Sequence, residues 1–130
     1  MRGMTSPEIR PGLTGERRVV VTEAMTTGHA GGARILTAPS MILQMELTAQ
    51  DVTDPYLRPD RTTVGYEICV THRRATPLGE WFRVTAELTE VEGRHLVFKV
   101  EAHNAREKIG QGRLRRTVVR VGSVAAHTER

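Results

Sequence analysis

The stretch Ile35–Asp51, ILTAPSMILQMELTAQD, is the best candidate for a long helix in the chain. Pro39 stands where a first helical residue would lie, because its missing N–H costs nothing there and its fixed φ already suits a helix. Apolar residues then fall on nearly every side, which is typical of a buried helix. Among them stands one carboxylate, Glu46, which must find donors, meet water at a cleft or stay protonated. We predict that the rest of the chain is a sheet wrapped around this helix and that Glu46 marks the functional site.

Strand patterns lie on both sides of the helix. Before it, Arg17–Met25 is rich in β-branched residues, and the glycine-rich loop TTGHAGGAR leads into the helix. After it, DVTDPYLRPD contains two prolines and ends the helix. Four alternating segments follow: Thr62–His72, Glu80–Val91, Arg94–His103 and Lys108–Val121. Short turns between them imply antiparallel neighbours, so we predict an α+β domain with a curved antiparallel sheet on one central helix.

Within the strand Thr62–His72, alternation predicts two distinct faces. Tyr66, Ile68, Val70 and His72 are expected on one face, and Glu67, Cys69 and Thr71 on the other.

The length and composition bound the organisation of the chain. With 130 residues, of which 38% are hydrophobic, one domain can form its own core. We assign residues 16–122 to this domain, 1–15 to a flexible leader and 123–130 to a flexible tail. The single Cys69 excludes an internal disulfide and favours a reducing compartment. No apolar run reaches the ~20 residues of a membrane span, and no secretory signal is present, so a cytoplasmic location without membrane association is expected.

The charge pattern argues against nucleic-acid binding and the histidine pattern against a metal site. Lys and Arg total 19 against 15 Asp and Glu, but the basic residues are spread along the chain. Aromatic residues make up only 4%, which leaves little for stacking on bases. The histidines are widely spaced, and neither an H-E-x-x-H motif nor a cysteine cluster occurs.

Three stretches resemble a known family in order and spacing. They are APSMILQME (Ala38–Glu46), VGYEICVTHRRATPLG (Val64–Gly79) and VTAELTEVEGRHLVFKVEAHNAREKIGQG (Val84–Gly112). Together with the order of strand, helix and four strands, they resemble the hot-dog fold of acyl-CoA thioesterases, and the fluoroacetyl-CoA thioesterase type in particular. The resemblance covers roughly residues 35–121.

The resemblance implies a site at a dimer interface that uses Thr, Glu and His. Glu46 and His72 match the family's Glu and His, whereas the family's Thr falls on Ala38. Thr37 stands one position before Ala38, and a shift of one residue would make it the third catalytic residue. Ala38, Pro39, Ser40, Gly65, Arg73 and Arg116 are expected to bind the substrate, with the arginines as candidates for the coenzyme A phosphates.

The sequence allows two assignments of the catalytic roles to Glu46 and His72. His72 can act as the base that activates water, with Glu46 orienting it or stabilising its imidazolium. Alternatively, Glu46 can be the base or the nucleophile while His72 positions water. The backbone N–H groups near Pro39–Met41, at the start of the helix, could bind the thioester oxygen.

The expected function is hydrolysis of an acyl-CoA or acyl-carrier-protein thioester by a homodimer, with no cofactor apart from the coenzyme A of the substrate. One alternative is a thioester-binding protein without hydrolytic activity, since Ala38 replaces the hydroxyl. A second is another enzyme on the same fold, such as a dehydratase or a cyclising enzyme of one pathway.

Overall fold

A five-stranded antiparallel sheet wraps around one helix in the computed structural model, which describes residues 8–124. The strands lie in the order β1, β5, β6, β7, β4 across this sheet. Their bounds are β1 Thr14–Val20, β4 Arg61–His72, β5 Trp81–Glu92, β6 His95–Asn104 and β7 Lys108–Arg120. Strands β2 (Thr26–Thr27) and β3 (Ile35–Leu36) form a separate two-stranded ribbon. The predicted α+β architecture is therefore confirmed.

Helix α1 spans Ala38–Thr53, so it begins and ends later than the stretch that predicts it. Thr37 is the N-cap and Pro39 lies in the first turn, where its missing N–H removes no helical hydrogen bond. Met41 and Met45 are fully buried, whereas Leu43 is 54% exposed. The prediction of a helix buried on nearly every side is wrong at Leu43, which lies on a face of α1 that the protomer leaves open.

The hydrophobic core lies between α1 and the concave face of the sheet. Burial of its apolar side chains is the main force that holds the helix on the sheet. The fully buried members with the largest side chains include Leu36, Met41, Met45, Phe82, Leu88, Leu96, Phe98, Ile109 and Leu114.

Strand β4 forms one edge of the sheet and contains a bulge. The pairing of β4 with β7 shifts between Gly65 and Glu67, which leaves Tyr66 out of register. The Tyr66 ring packs edge-on against His95, with the ring centroids 5.7 Å apart. The strict alternation predicted for this strand is therefore interrupted at Tyr66. Tyr66 and Ile68 are 52% and 48% exposed on this edge strand.

The first strand begins within the segment 1–15 that the sequence assigns to a leader. Strand β1 starts at Thr14, and Ile9 before it is buried. The strand predicted over Arg17–Met25 ends at Val20, because Glu23–Met25 forms a 3₁₀ turn. Most of the predicted leader (1–7) and tail (125–130) lie outside the described residues. Within residues 8–124, no helix has the length and apolar character needed to cross a membrane.

Candidate active site

A cavity of about 520 Å³ opens where helix α1 begins and strand β4 ends. The helix start contributes Thr37, Ala38 and Pro39, and the end of β4 contributes His72 followed by Arg73. The remaining lining residues are Thr27, His29, Ile35, Leu36, Arg74 and Ala75. Five of the residues singled out in the sequence thus border one cavity.

The imidazole of His72 is half-buried and has one nitrogen without a partner. Its Nε2 atom is buried and makes no hydrogen bond within the described residues. Burial lowers the pKa of His72 below its ordinary value of 6.5, and a hydrogen bond with the backbone of Arg74 partly opposes this change. A neutral imidazole with an unpartnered nitrogen can accept a proton, as a general base must.

The N–H groups at the helix start are largely occupied. The Thr37 hydroxyl accepts the backbone N–H of Ser40 at 3.2 Å and donates to the Ser40 hydroxyl at 2.9 Å. The Met41 N–H donates to the Thr37 carbonyl at 3.1 Å, and Pro39 has no N–H. Among Ala38, Ser40 and Met41, only Ala38 has an N–H group without a partner among the described residues. Of the donors at the helix start, the Ala38 N–H is therefore the one available to bind a thioester oxygen, and that role stays a prediction.

Glu46 is held by a buried arginine. Its Oε1 atom accepts a hydrogen bond from Nη1 of Arg116 at 2.6 Å. The Arg116 side chain is only 3% exposed, and it also donates from Nε to the Thr63 hydroxyl and from Nη2 to the Thr63 carbonyl, both at 2.9 Å. An arginine in this position gives the carboxylate a charge-assisted hydrogen bond and fixes its orientation. The guanidinium that the sequence assigns to a coenzyme A phosphate is thus engaged inside the protomer.

Gly65 brings the backbone of β4 against the Glu46 carboxylate. A Cβ atom at Gly65 would lie 2.7 Å from Oε2 of Glu46 and 3.3 Å from Nη1 of Arg116. These distances are too short for ordinary contacts, so the glycine makes room for the charged pair. Gly65 is exposed, which leaves this side of the pair open to solvent or to another molecule.

The two principal catalytic candidates lie in different places within one protomer. Glu46 is on α1 about 12 Å of helix rise beyond Ala38, which borders the His72 cavity. Along β4, Gly65 beside Glu46 and the terminal His72 are separated by about 20 Å of strand. The direct Glu46–His72 contact suggested by the sequence is not formed within the protomer, where Glu46 pairs with Arg116 instead.

His29 lines the cavity, although no pattern in the sequence predicts a role for it. It lies in the loop between β2 and β3 and borders the same cavity as His72. The glycine-rich segment before the helix was the available indication, because flexible loops beside a helix start often contribute to sites. Within residues 8–124, no group of three or more His, Cys, Asp and Glu side chains could hold a metal ion.

One helix in the concave face of a five-stranded antiparallel sheet, with a cavity at the helix start, defines a protein of the hot-dog class. A hot-dog-like protein from Thermanaerovibrio acidaminovorans has the same fold, with a TM-score of 0.83 at 18% identity over 95% of this chain and 91% of its own.

The family model for the fluoroacetyl-CoA-specific thioesterase FlK matches residues 20–122, and the chain belongs to this family. It is similar to the fluoroacetyl-CoA thioesterase of Streptantibioticus cattleyicolor, with 44% identity over 79 residues, or 61% of this chain. That match spans 57% of the length of this relative. The structure of a threonine-to-alanine variant of FlK in complex with fluoroacetate superposes with a TM-score of 0.86 at 34% identity, covering 93% of this chain and 97% of the other.

Proposed function

We propose that this chain hydrolyses an acyl-CoA thioester as a homodimer, at a site that combines His72 of one protomer with Glu46 of its partner. The observation that supports this most directly is the unpartnered, buried Nε2 of His72. A carboxylate near the ring would stabilise the imidazolium that forms when Nε2 takes a proton, and Glu46 is held by Arg116 beside the open edge strand β4. Glu46 and His72 lie near opposite ends of β4. When two copies of this strand pair antiparallel, Glu46 of one protomer and His72 of its partner become neighbours.

The proposed pairing of two β4 strands has a register that follows from which residues lie opposite each other. In an antiparallel pair, residues directly opposite each other point to the same face of the sheet. Placing Gly65 opposite the partner's His72, with Tyr66 left out as the bulge residue, puts Cys69 opposite the partner's Cys69 at the two-fold axis. The exposed Ile68 on β4 and Leu43 on α1 supply apolar surface for this interface. Each dimer would contain two such composite sites.

The chemistry follows from the charge of each group. Neutral His72 removes a proton from a water molecule as the water oxygen attacks the thioester carbonyl. The partner's Glu46, oriented by Arg116, stabilises the imidazolium that forms. The N–H of Ala38 donates to the carbonyl oxygen as negative charge develops on it. The C–S bond then breaks, and the imidazolium returns the proton to the departing thiolate, leaving the acid and free thiol.

The remaining cavity residues are assigned to substrate binding. Arg73 has an exposed guanidinium with no ion-pair partner among the described residues, so it is suited to a coenzyme A phosphate. The linked hydroxyls of Thr37 and Ser40 are the only hydroxyls at the helix start, and we assign them to orienting the attacking water. An acyl-carrier-protein thioester presents the same reactive group and is the alternative form of the substrate.

The test is a panel of acyl-CoA substrates with release of free thiol as the readout. We expect hydrolysis of at least one short or medium acyl-CoA, and a loss of at least about 100-fold in Glu46→Gln and in His72→Ala. Glu67→Gln is a matched control, because Glu67 is an exposed carboxylate on β4 paired with Arg115. Full activity in both site variants would disprove the mechanism. Mixing Glu46→Gln with His72→Ala should restore one functional site in each heterodimer, which only a composite site allows.

A second candidate function is thioester binding without hydrolysis, and Ala38 is the observation that favours it. The Thr37 hydroxyl donates to Ser40 and accepts the Ser40 N–H, and neither Thr37 nor Ser40 occupies the position of the family's Thr. Binding of an acyl-CoA by calorimetry with no turnover, and turnover that appears only in Ala38→Thr, would support this function. Equal activity of wild type and Ala38→Thr would exclude it.

A further inference from the structure

His29 is placed in the cavity by its own loop. The backbone N–H of His29 donates to the Thr27 hydroxyl at 3.3 Å, and Nδ1 of the ring lies 3.0 Å from the same hydroxyl oxygen. These two contacts fix both the backbone and the ring relative to Thr27. Since both residues border the cavity that contains His72, the orientation of this imidazole matters to whatever the cavity holds.

The base of the loop is held by side-chain and backbone hydrogen bonds, and its tip is a glycine turn. Arg34 donates from Nε to the Thr26 hydroxyl at 2.8 Å and from Nη2 to the Thr26 carbonyl at 3.1 Å. The Thr37 N–H donates to the Met25 carbonyl at 2.9 Å, which joins the loop to the start of α1. At the tip, the Gly31 N–H donates to the Gly28 carbonyl at 3.0 Å, and Gly31 and Gly32 both have positive φ with no neighbouring atoms within 4 Å of a Cβ position. His29 lies in this turn, between Gly28 and Gly31.

We propose that His29 is a specificity-determining residue that donates a hydrogen bond from Nε2 to an oxygen on the acyl group. The inference rests on the proposed thioesterase function and names its substrate class: short acyl groups with a hydroxyl or keto oxygen near the thioester. In the proposed arrangement the Thr27 hydroxyl donates to Nδ1 of His29. The ring proton is then on Nε2, the nitrogen on the far side of the ring, where it can be donated to the acyl group.

The lining of the cavity distinguishes an acyl oxygen from a coenzyme A phosphate as the acceptor. The β2–β3 side of the cavity combines His29 with the apolar residues Ile35 and Leu36, a mixture that suits a small acyl group. The free cationic charge of Arg73 comes from the segment after β4. The acyl group is therefore assigned to the loop side and the phosphates to the arginine side.

The experiment compares butyryl-CoA with 3-hydroxybutyryl-CoA and acetoacetyl-CoA in thiol-release assays. Wild type is expected to prefer the two oxygenated substrates, by kcat/KM. His29→Leu keeps the size of the side chain but removes the donor, and should reduce this preference about five- to tenfold while butyryl-CoA hydrolysis stays unchanged. His29→Gln restores a donor at similar reach and should recover part of the preference. Thr27→Val removes the hydroxyl that orients the ring and should give an intermediate loss.

The outcomes separate this proposal from the proposed function. If no thioester is hydrolysed, the thioesterase function itself fails. If butyryl-CoA is hydrolysed but His29→Leu leaves the substrate preference unchanged, the role of His29 is disproved. If His29→Leu slows all coenzyme A esters equally, and leaves N-acetylcysteamine thioesters of the same acids unaffected, then His29 contacts a phosphate and the assignment to the acyl group is overturned.

Discussion

At the scale of single residues, the chemistry depends on how Glu46 and His72 are charged. Oε1 of Glu46 accepts a 2.6 Å hydrogen bond from the buried guanidinium of Arg116, so this carboxylate is already engaged and oriented. His72 is held in surroundings that favour its neutral form. Of the two divisions of roles that the sequence leaves open, the environments of these residues therefore favour His72 as the base and Glu46 as its electrostatic partner.

The proposed pairing predicts a measurable change in the pKa of His72. A carboxylate beside an imidazole stabilises the protonated form and raises its pKa, whereas burial lowers it. In the dimer, the variant Glu46→Gln should therefore lower the pKa of His72 relative to wild type, as measured by NMR titration of its ring protons. An unchanged or higher His72 pKa would show that Glu46 does not face it.

The lowered pKa of His72 also affects the free energy of unfolding. When the folded pKa of a histidine is below its unfolded value, the unfolded chain binds more protons between the two pKa values. The free energy of unfolding therefore falls as the pH drops through this window below pH 6.5. We expect Glu46→Gln to strengthen this acid destabilisation, because it removes the charge that favours imidazolium.

At the scale of elements, strand β4 contributes the most to the site. Its bulge at Gly65–Glu67 changes the register beside Glu46, and its last residue is His72. Its glycine at position 65 leaves space for a carboxylate, whereas the backbone of β4 packs closely on Gly112 of β7. A side chain at Gly65 would therefore disturb the Glu46 carboxylate, whereas a side chain at Gly112 would disturb the packing of the sheet.

Substituting each glycine by alanine should separate these effects. In Gly65→Ala the new Cβ would meet the tip of the flexible Glu46 side chain, which can move aside. We expect kcat to fall at least about tenfold while the melting temperature changes little. In Gly112→Ala the Cβ would instead meet the backbone of Cys69 and Val70, so thermal unfolding should show a large loss of stability. A Gly65→Ala protein with normal kcat would argue against a role for Glu46 in the reaction.

At the scale of the whole molecule, the proposed mechanism places half of each site at either end of the exposed edge strand β4. Edge strands are commonly protected by charge, bulges or pairing, and β4, which has a bulge, still presents Tyr66 and Ile68 to solvent. Pairing with a second copy would bury these side chains and complete the site in one step. Both the chemistry of the site and the exposed edge strand therefore support the proposed dimer.

Cys69 provides a direct test of the proposed register. Opposite residues in an antiparallel pair have Cα atoms about 4.5–5.5 Å apart, which is within the range of a disulfide. Mild oxidation with diamide should therefore link two chains through Cys69, giving a dimer on a non-reducing gel that is absent in Cys69→Ser. The variant Ile68→Asp should weaken the dimer in sedimentation and lower activity in proportion. A native dimer without this cross-link would rule out Cys69 at the two-fold axis.

The sequence alone determines the class of fold and most of the candidate residues. The Pro39 position, the apolar run of α1 and the alternation of the later strands are local patterns, and each element formed close to where its pattern lies. The matched motifs also identified Glu46 and His72 as positions of interest, and their catalytic roles stay predictions. Local periodicity was sufficient here because burial of one face determines both helix and strand patterns.

Only the tertiary structure decided which partner each residue meets. Arg116 and Glu46 are 70 positions apart, and only the packing of α1 on the sheet brings them within 2.6 Å. The bulge at Tyr66 and the cavity that His29 shares with His72 likewise depend on contacts between distant segments. A single sequence contains no periodic pattern for such contacts, because hydrogen bonds between side chains depend on the final distances and on which groups are removed from water together.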